Sequence, residues 1–168
     1  MNTWQKLNKN ELIPQTVTDY SMLNLYIWCM TIVGNADIDI VKALLSAGAS
    51  TEACDQDDLT PLLQTIFTGR NDITKFLIDN GANINRLVSH DYSALHHAAW
   101  NGNIEVVQML LDNGARDDDP TDDGNTPLAL AAHGGCYDVL DFLIRRGCCV
   151  NISDKSVLVK RFVLFRCY

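Results

Sequence analysis

An all-α solenoid of stacked helix-turn-helix pairs, joined by turn or hairpin fingers, is the fold this sequence predicts, and three evenly spaced residue series predict it. Gly48, Gly81, Gly114 and Gly147 stand 33 residues apart, Gly69, Gly102 and Gly135 keep the same step, and so do Thr60, Ser93 and Thr126. Units this short cannot bury an apolar face alone, so they must stack to make a continuous core.

Each element follows from local chemistry. Thr60-Pro61-Leu62, Ser93-Ala94-Leu95-His96-His97-Ala98-Ala99 and Thr126-Pro127-Leu128-Ala129-Leu130-Ala131-Ala132 recur in step. A hydroxyl before Pro or Ala caps an orphan amide, and Pro fits the first helical position without losing a hydrogen bond. The small Ala98, Ala99, Ala131 and Ala132 let neighbouring helices approach closely. Gly69, Gly102 and Gly135 fall where the first helix of each unit ends. Second helices follow as Ile40-Val41-Lys42-Ala43-Leu44-Leu45, Ile73-Thr74-Lys75-Phe76-Leu77-Ile78, Val106-Val107-Gln108-Met109-Leu110-Leu111 and Val139-Leu140-Asp141-Phe142-Leu143-Ile144, each leading to a glycine stop.

These motifs resemble ankyrin repeats over residues 22–153. The resemblance divides the chain into a polar segment 1–21, a degenerate repeat 22–54, regular repeats 55–87, 88–120 and 121–153, and a divergent apolar tail 154–168. In the first repeat Ile27-Trp28-Cys29 replaces the capped helix start, so residues 1–20 are expected to fold back over it. Asn151-Ile152-Ser153-Asp154 starts a fifth unit that Val157 to Phe165 does not continue. A solenoid end wants a polar cap, so this tail is expected to leave a sticky end open to self-association, as in a truncated form of a longer array.

The composition narrows the function. The 168 residues are 47% hydrophobic and carry a net charge of −8, which repels nucleic-acid backbones and anionic membranes and favours basic partners. The apolar stretch from Met22 to Val33 is too short to span a bilayer, and the first twenty residues lack a basic-then-apolar signal design. The expectation is an intracellular protein, cytoplasmic or nuclear.

No residue set points to catalysis or to a cofactor. His133 and Cys136 flank a turn with no third orienting group. Cys29, Cys54, Cys136, Cys148, Cys149 and Cys167 show neither zinc-site nor disulfide-scaffold spacing, and Cys148 takes the place of Ala49, Ala82 and Ala115. Asp119, Thr121, Asp123 and Gly124 mimic the start of a calcium loop, but its closing Glu would fall at Leu130. The resemblance implies a structural His96 tying units together, with His97, where the neighbours have Gln64 and Leu130, half-buried or facing the groove.

The resemblance also implies a concave binding face built from the fingers and the exposed ends of the first helices. By phase these are Gln56, Asp57, Leu59, Phe67 and Thr68, then Ser89, His90, Tyr92, Trp100 and Asn101, then Asp122, Asp123, Asn125, His133 and Gly134. Phe67, Trp100 and His133 share one phase, and Leu59, Tyr92 and Asn125 another. Large aromatics there either anchor a partner or pack between units. Asp117 and Asp118 replace the Ile84-Asn85 pair of the preceding finger, which predicts a looser joint between the third and fourth units. The function expected is a non-enzymatic module binding a protein or peptide with basic residues. The alternatives are the recognition part of an adaptor, such as a ubiquitin-ligase substrate receptor, and a truncated isoform with little function of its own.

Overall fold

The computed structural model describes residues 37–55 and 57–148. The expectations for the N-terminal cover, the apolar tail, Gln56, Cys29, Cys149 and Cys167 lie outside the described residues. Among those described, seven α-helices follow in order: α1 (Ile38–Ser46), α2 (Pro61–Thr68), α3 (Asn71–Asp79), α4 (Ala94–Trp100), α5 (Ile104–Asp112), α6 (Pro127–His133) and α7 (Tyr137–Arg146). One short 3₁₀ turn, Ser89–Asp91, precedes α4.

The helices form two layers. The first helices α2, α4 and α6 pack on one another in a row, the second helices α1, α3, α5 and α7 form a parallel row, and each pair packs internally. Hydrophobic spacing decides which faces meet. Ile73, Leu77, Leu95, Val106, Leu110, Leu128, Val139 and Leu143 are all buried between the layers, where each large side chain contributes about 1.5–3 kcal/mol relative to exposure.

The helix starts behave as their chemistry requires. The Thr60 hydroxyl accepts from the Leu63 amide and the Thr126 hydroxyl from the Ala129 amide, both at 3.3 Å. At Ser93 the box is closed by a histidine: the Ser93 amide donates to His96 Nδ1 at 3.1 Å and the hydroxyl lies 2.8 Å from the same atom. His96 is fully buried, and its Nε2 reaches the Asp119 carbonyl at 3.0 Å. Nδ1 as acceptor leaves the proton on Nε2, which donates to that carbonyl. The ring therefore binds the third unit to the finger that follows it, and burial holds its pKa below the ordinary value.

Sequence-distant ties recur at the repeat step. The Asn83 amide donates to Glu52 Oε1 at 2.8 Å, and the Arg116 amide to Asn85 Oδ1 at 3.0 Å. Inside the second unit Thr74 donates to Thr65 Oγ1 at 3.0 Å while Thr65 donates to the Leu62 carbonyl at 2.8 Å, so two buried hydroxyls are satisfied.

The joint expected to be loose is instead tied by different chemistry. Asp117, in the place of Ile84, accepts from the Cys148 thiol at 2.9 Å. Cys148 is buried like Ala49 and Ala82, and burial together with that carboxylate pushes its pKa up to about 12. A polar bond has taken over from an apolar staple, and the thiol is held protonated.

Candidate binding face

Three fingers precede the three complete helix pairs, and one backbone bond closes each of them. Asp55 donates to the Leu59 carbonyl at 3.2 Å, Val88 to Tyr92 at 2.9 Å and Thr121 to Asn125 at 3.0 Å, at 33-residue intervals. Closing the turn puts the residue just before its last member in the left-handed region: Asp58 has φ 60°, Asp91 has φ 58° and Gly124 has φ 80°. Glycine adopts this conformation freely, whereas a residue with a Cβ pays about 1 kcal/mol. The glycine at this place in the fourth unit's finger is thus an aspartate in the other two, a substitution the sequence series did not single out.

The fingers carry exposed acid. Asp57, Asp58, Asp91, Asp122 and Asp123 all face solvent. Arg86 engages Asp58 at 2.8 Å and Glu52 at 3.9 Å, so the second unit's finger is partly neutralised. Farther along, the Asp122 amide donates to the His90 carbonyl at 3.2 Å, which draws the third and fourth fingers together. Asp91 and Asp122 consequently face each other, and the neighbouring Asp122 carboxylate raises the pKa of Asp91. No Lys or Arg among the described residues is ion-paired with either; His90 Nδ1 stands 3.7 Å from Asp122, a charged contact only when the ring is protonated.

Behind the fingers lies a ring cluster. Tyr92 sits 5.7 Å from His96 and 5.2 Å from His97, and Phe67 meets His97 edge-on at 4.7 Å, all between centroids. His97 Nε2 is buried without a hydrogen-bond partner. Burial, and then the neighbouring His96, lower the His97 pKa to about 4, so it is a neutral, largely apolar plate at physiological pH. His97 was not among the partner-contacting residues read from the sequence, although its departure from Gln64 and Leu130 was the signal.

Phe67 is 44% exposed and Trp100 50%, which places neither in the core. Phe67 contacts His97, and Phe67, Trp100, Asn101 and His133 all stand at the ends of α2, α4 and α6 remote from their own fingers, about 10 Å along the helix axes. Leu59 and Tyr92 are half-buried against the core. Asn125 lies within its finger, its amide bonded to the Thr121 hydroxyl at 3.2 Å. That same bond occupies one of the atoms of the calcium-like segment, and Asp119 is paired with Arg116 at 3.3 Å.

No helix among the described residues is long and apolar enough to cross a membrane. A three-copy model of ankyrin repeats matches residues 29–121, and a single ankyrin-repeat model matches residues 123–155. No curated protein matches the chain. Such repeats are generally protein–protein interaction modules. With the 33-residue step, the paired helices and the recurring finger bond, these matches establish that the chain belongs to the ankyrin-repeat family.

Proposed function

We propose that the finger face of the third and fourth repeats binds a Lys- or Arg-bearing segment of a partner protein, with Asp91, Asp122 and Asp123 as its charge contacts. The observation that carries this reading is Asp91. It occupies a backbone position that glycine fills without strain, and it faces another carboxylate with no Lys or Arg among the described residues paired to it. Both features cost stability in the free chain, and a bound cation relieves the second. Tyr92, with Phe67 and His97 beside it, supplies an aromatic floor for the aliphatic stem of the same side chain. Asp57 extends the acidic row toward the second unit.

Asp91→Gly separates the two roles. The variant is expected to be more stable than the parent by about 0.5–1 kcal/mol in urea unfolding, and to bind a fluorescent Arg/Lys-rich peptide about tenfold more weakly. Asp122→Asn is expected to weaken the same peptide while leaving the backbone strain at Asp91 in place. Unchanged peptide affinity in both variants would remove the finger reading. A role as the recognition part of an adaptor is compatible with this face and requires a second docking element.

A further inference from the structure

The edge of the array opposite the fingers, where each first helix turns into the second, carries chemistry that the scaffold does not need. Ile104 is 38% and Tyr137 65% exposed at the first positions of α5 and α7, next to the half-exposed Trp100 that ends α4. The equivalent position in the second unit is Asn71, so the fold accepts a polar residue there. Two turns are pressed together at this place: the Cys136 thiol reaches the Trp100 carbonyl at 3.3 Å, and a Cβ on Gly134 would come within 2.6 Å of that oxygen. The turns that carry Trp100, Ile104 and Tyr137 thereby lie side by side.

Charge along this edge is divided between the two halves of the array. Asp39, Asp72, Glu105 and Asp138 recur at the 33-residue step in the first turns of α1, α3, α5 and α7, where a carboxylate favours the helix dipole. The first two are neutralised, Asp39 by Lys42 at 3.2 Å and Asp72 by Arg70 at 3.0 Å. In the third and fourth units the residues in the phase of Lys42 are Gln108 and Asp141, and those in the phase of Arg70 are Asn103 and Cys136. Among the described residues, Glu105 bonds only the neutral Asn71, at 2.6 Å, and Asp138 has no ion pair. Apolar exposure and uncompensated negative charge coincide in the same two units.

We infer that Trp100, Ile104 and Tyr137, flanked by Glu105 and Asp138, form a second docking surface for a basic amphipathic segment of a partner protein. The partner lays apolar side chains on the three exposed ones and sets Lys or Arg against the two carboxylates, with Trp100 and Tyr137 also offering ring faces to a cation. This surface uses other side chains than the acidic fingers and does not depend on them.

The probe is a Leu/Lys peptide of about five helical turns, compared with a scrambled peptide of identical composition by fluorescence anisotropy. The double variant Ile104→Asn/Tyr137→Asn, which copies the residue of the second unit, is expected to bind the amphipathic peptide about tenfold more weakly. Equal binding of the two peptides, or an undiminished affinity of the double variant, would overturn the inference. Should the double variant melt below the parent, amide shifts are mapped on the unaltered chain. Changes centred on 101–105 and 136–138 support the surface, and changes confined to the fingers contradict it.

Discussion

Leu110→Ala is expected to destabilise the chain by about 3–4 kcal/mol, the largest single-residue effect the fold implies. Leu110 is wholly inaccessible in α5, which packs against α3 on one side, α7 on the other and α4 from the second layer. Removing its side chain leaves a cavity that four helices share and cannot close independently. The array is quasi-one-dimensional, so weakening a central unit cuts the coupling between its neighbours as well. Urea unfolding followed by circular dichroism should show a lower midpoint together with a broader or two-step transition. A loss below about 1 kcal/mol with undiminished cooperativity would mean that α5 is not the centre of the core.

The second large effect is acid-induced. His96 and His97 both have pKa values lowered by burial, His97 to about 4 from 6.5. The unfolded chain therefore takes up these protons first. Stability from the neutral His97 ring is present above about pH 6.5 and is lost as the pH falls toward about 4, worth about 2–3 kcal/mol across that window, and His96 adds a loss in the same direction as the pH falls below 6.5. Protonating His96 also destroys Nδ1 as the acceptor for the Ser93 amide. Asp72, whose pKa is lowered chiefly by its hydrogen bond to Arg70, contributes a separate loss below the usual carboxylate pKa of 3.8. The variant His97→Leu, which takes the residue of the fourth unit at this position, should flatten the profile between pH 6.5 and 4. An unaltered profile in that variant would show that His97 is not the group being titrated.

The repeat architecture was legible because stacking forces periodicity: the glycine stops, the hydroxyl caps and the alanine-rich first helices each recur for a reason that acts in every unit. Partial burial of His97 and the structural use of His96 were legible too, since both depart from, or fill, a known phase. What escaped was pairing between residues that are not in one phase. Asp117 reads as a missing staple until Cys148 is seen donating to it. Asp91 reads as an ordinary finger acid until its positive φ and its approach to Asp122 are known. The Asp117–Cys148 bond and the approach of Asp91 to Asp122 each join neighbouring units, and a 33-residue register carries no information on such contacts.

The acidic fingers are tested most directly by titrating the isotopically labelled chain with an Arg/Lys-rich peptide at low salt and mapping the amide shifts. The shifts are expected to centre on Asp91, Asp122 and Asp123, extend to Tyr92, and fade as salt is raised, because the charge contacts are solvent-exposed. Shifts that spare these fingers, or that persist unchanged at high salt, would contradict it.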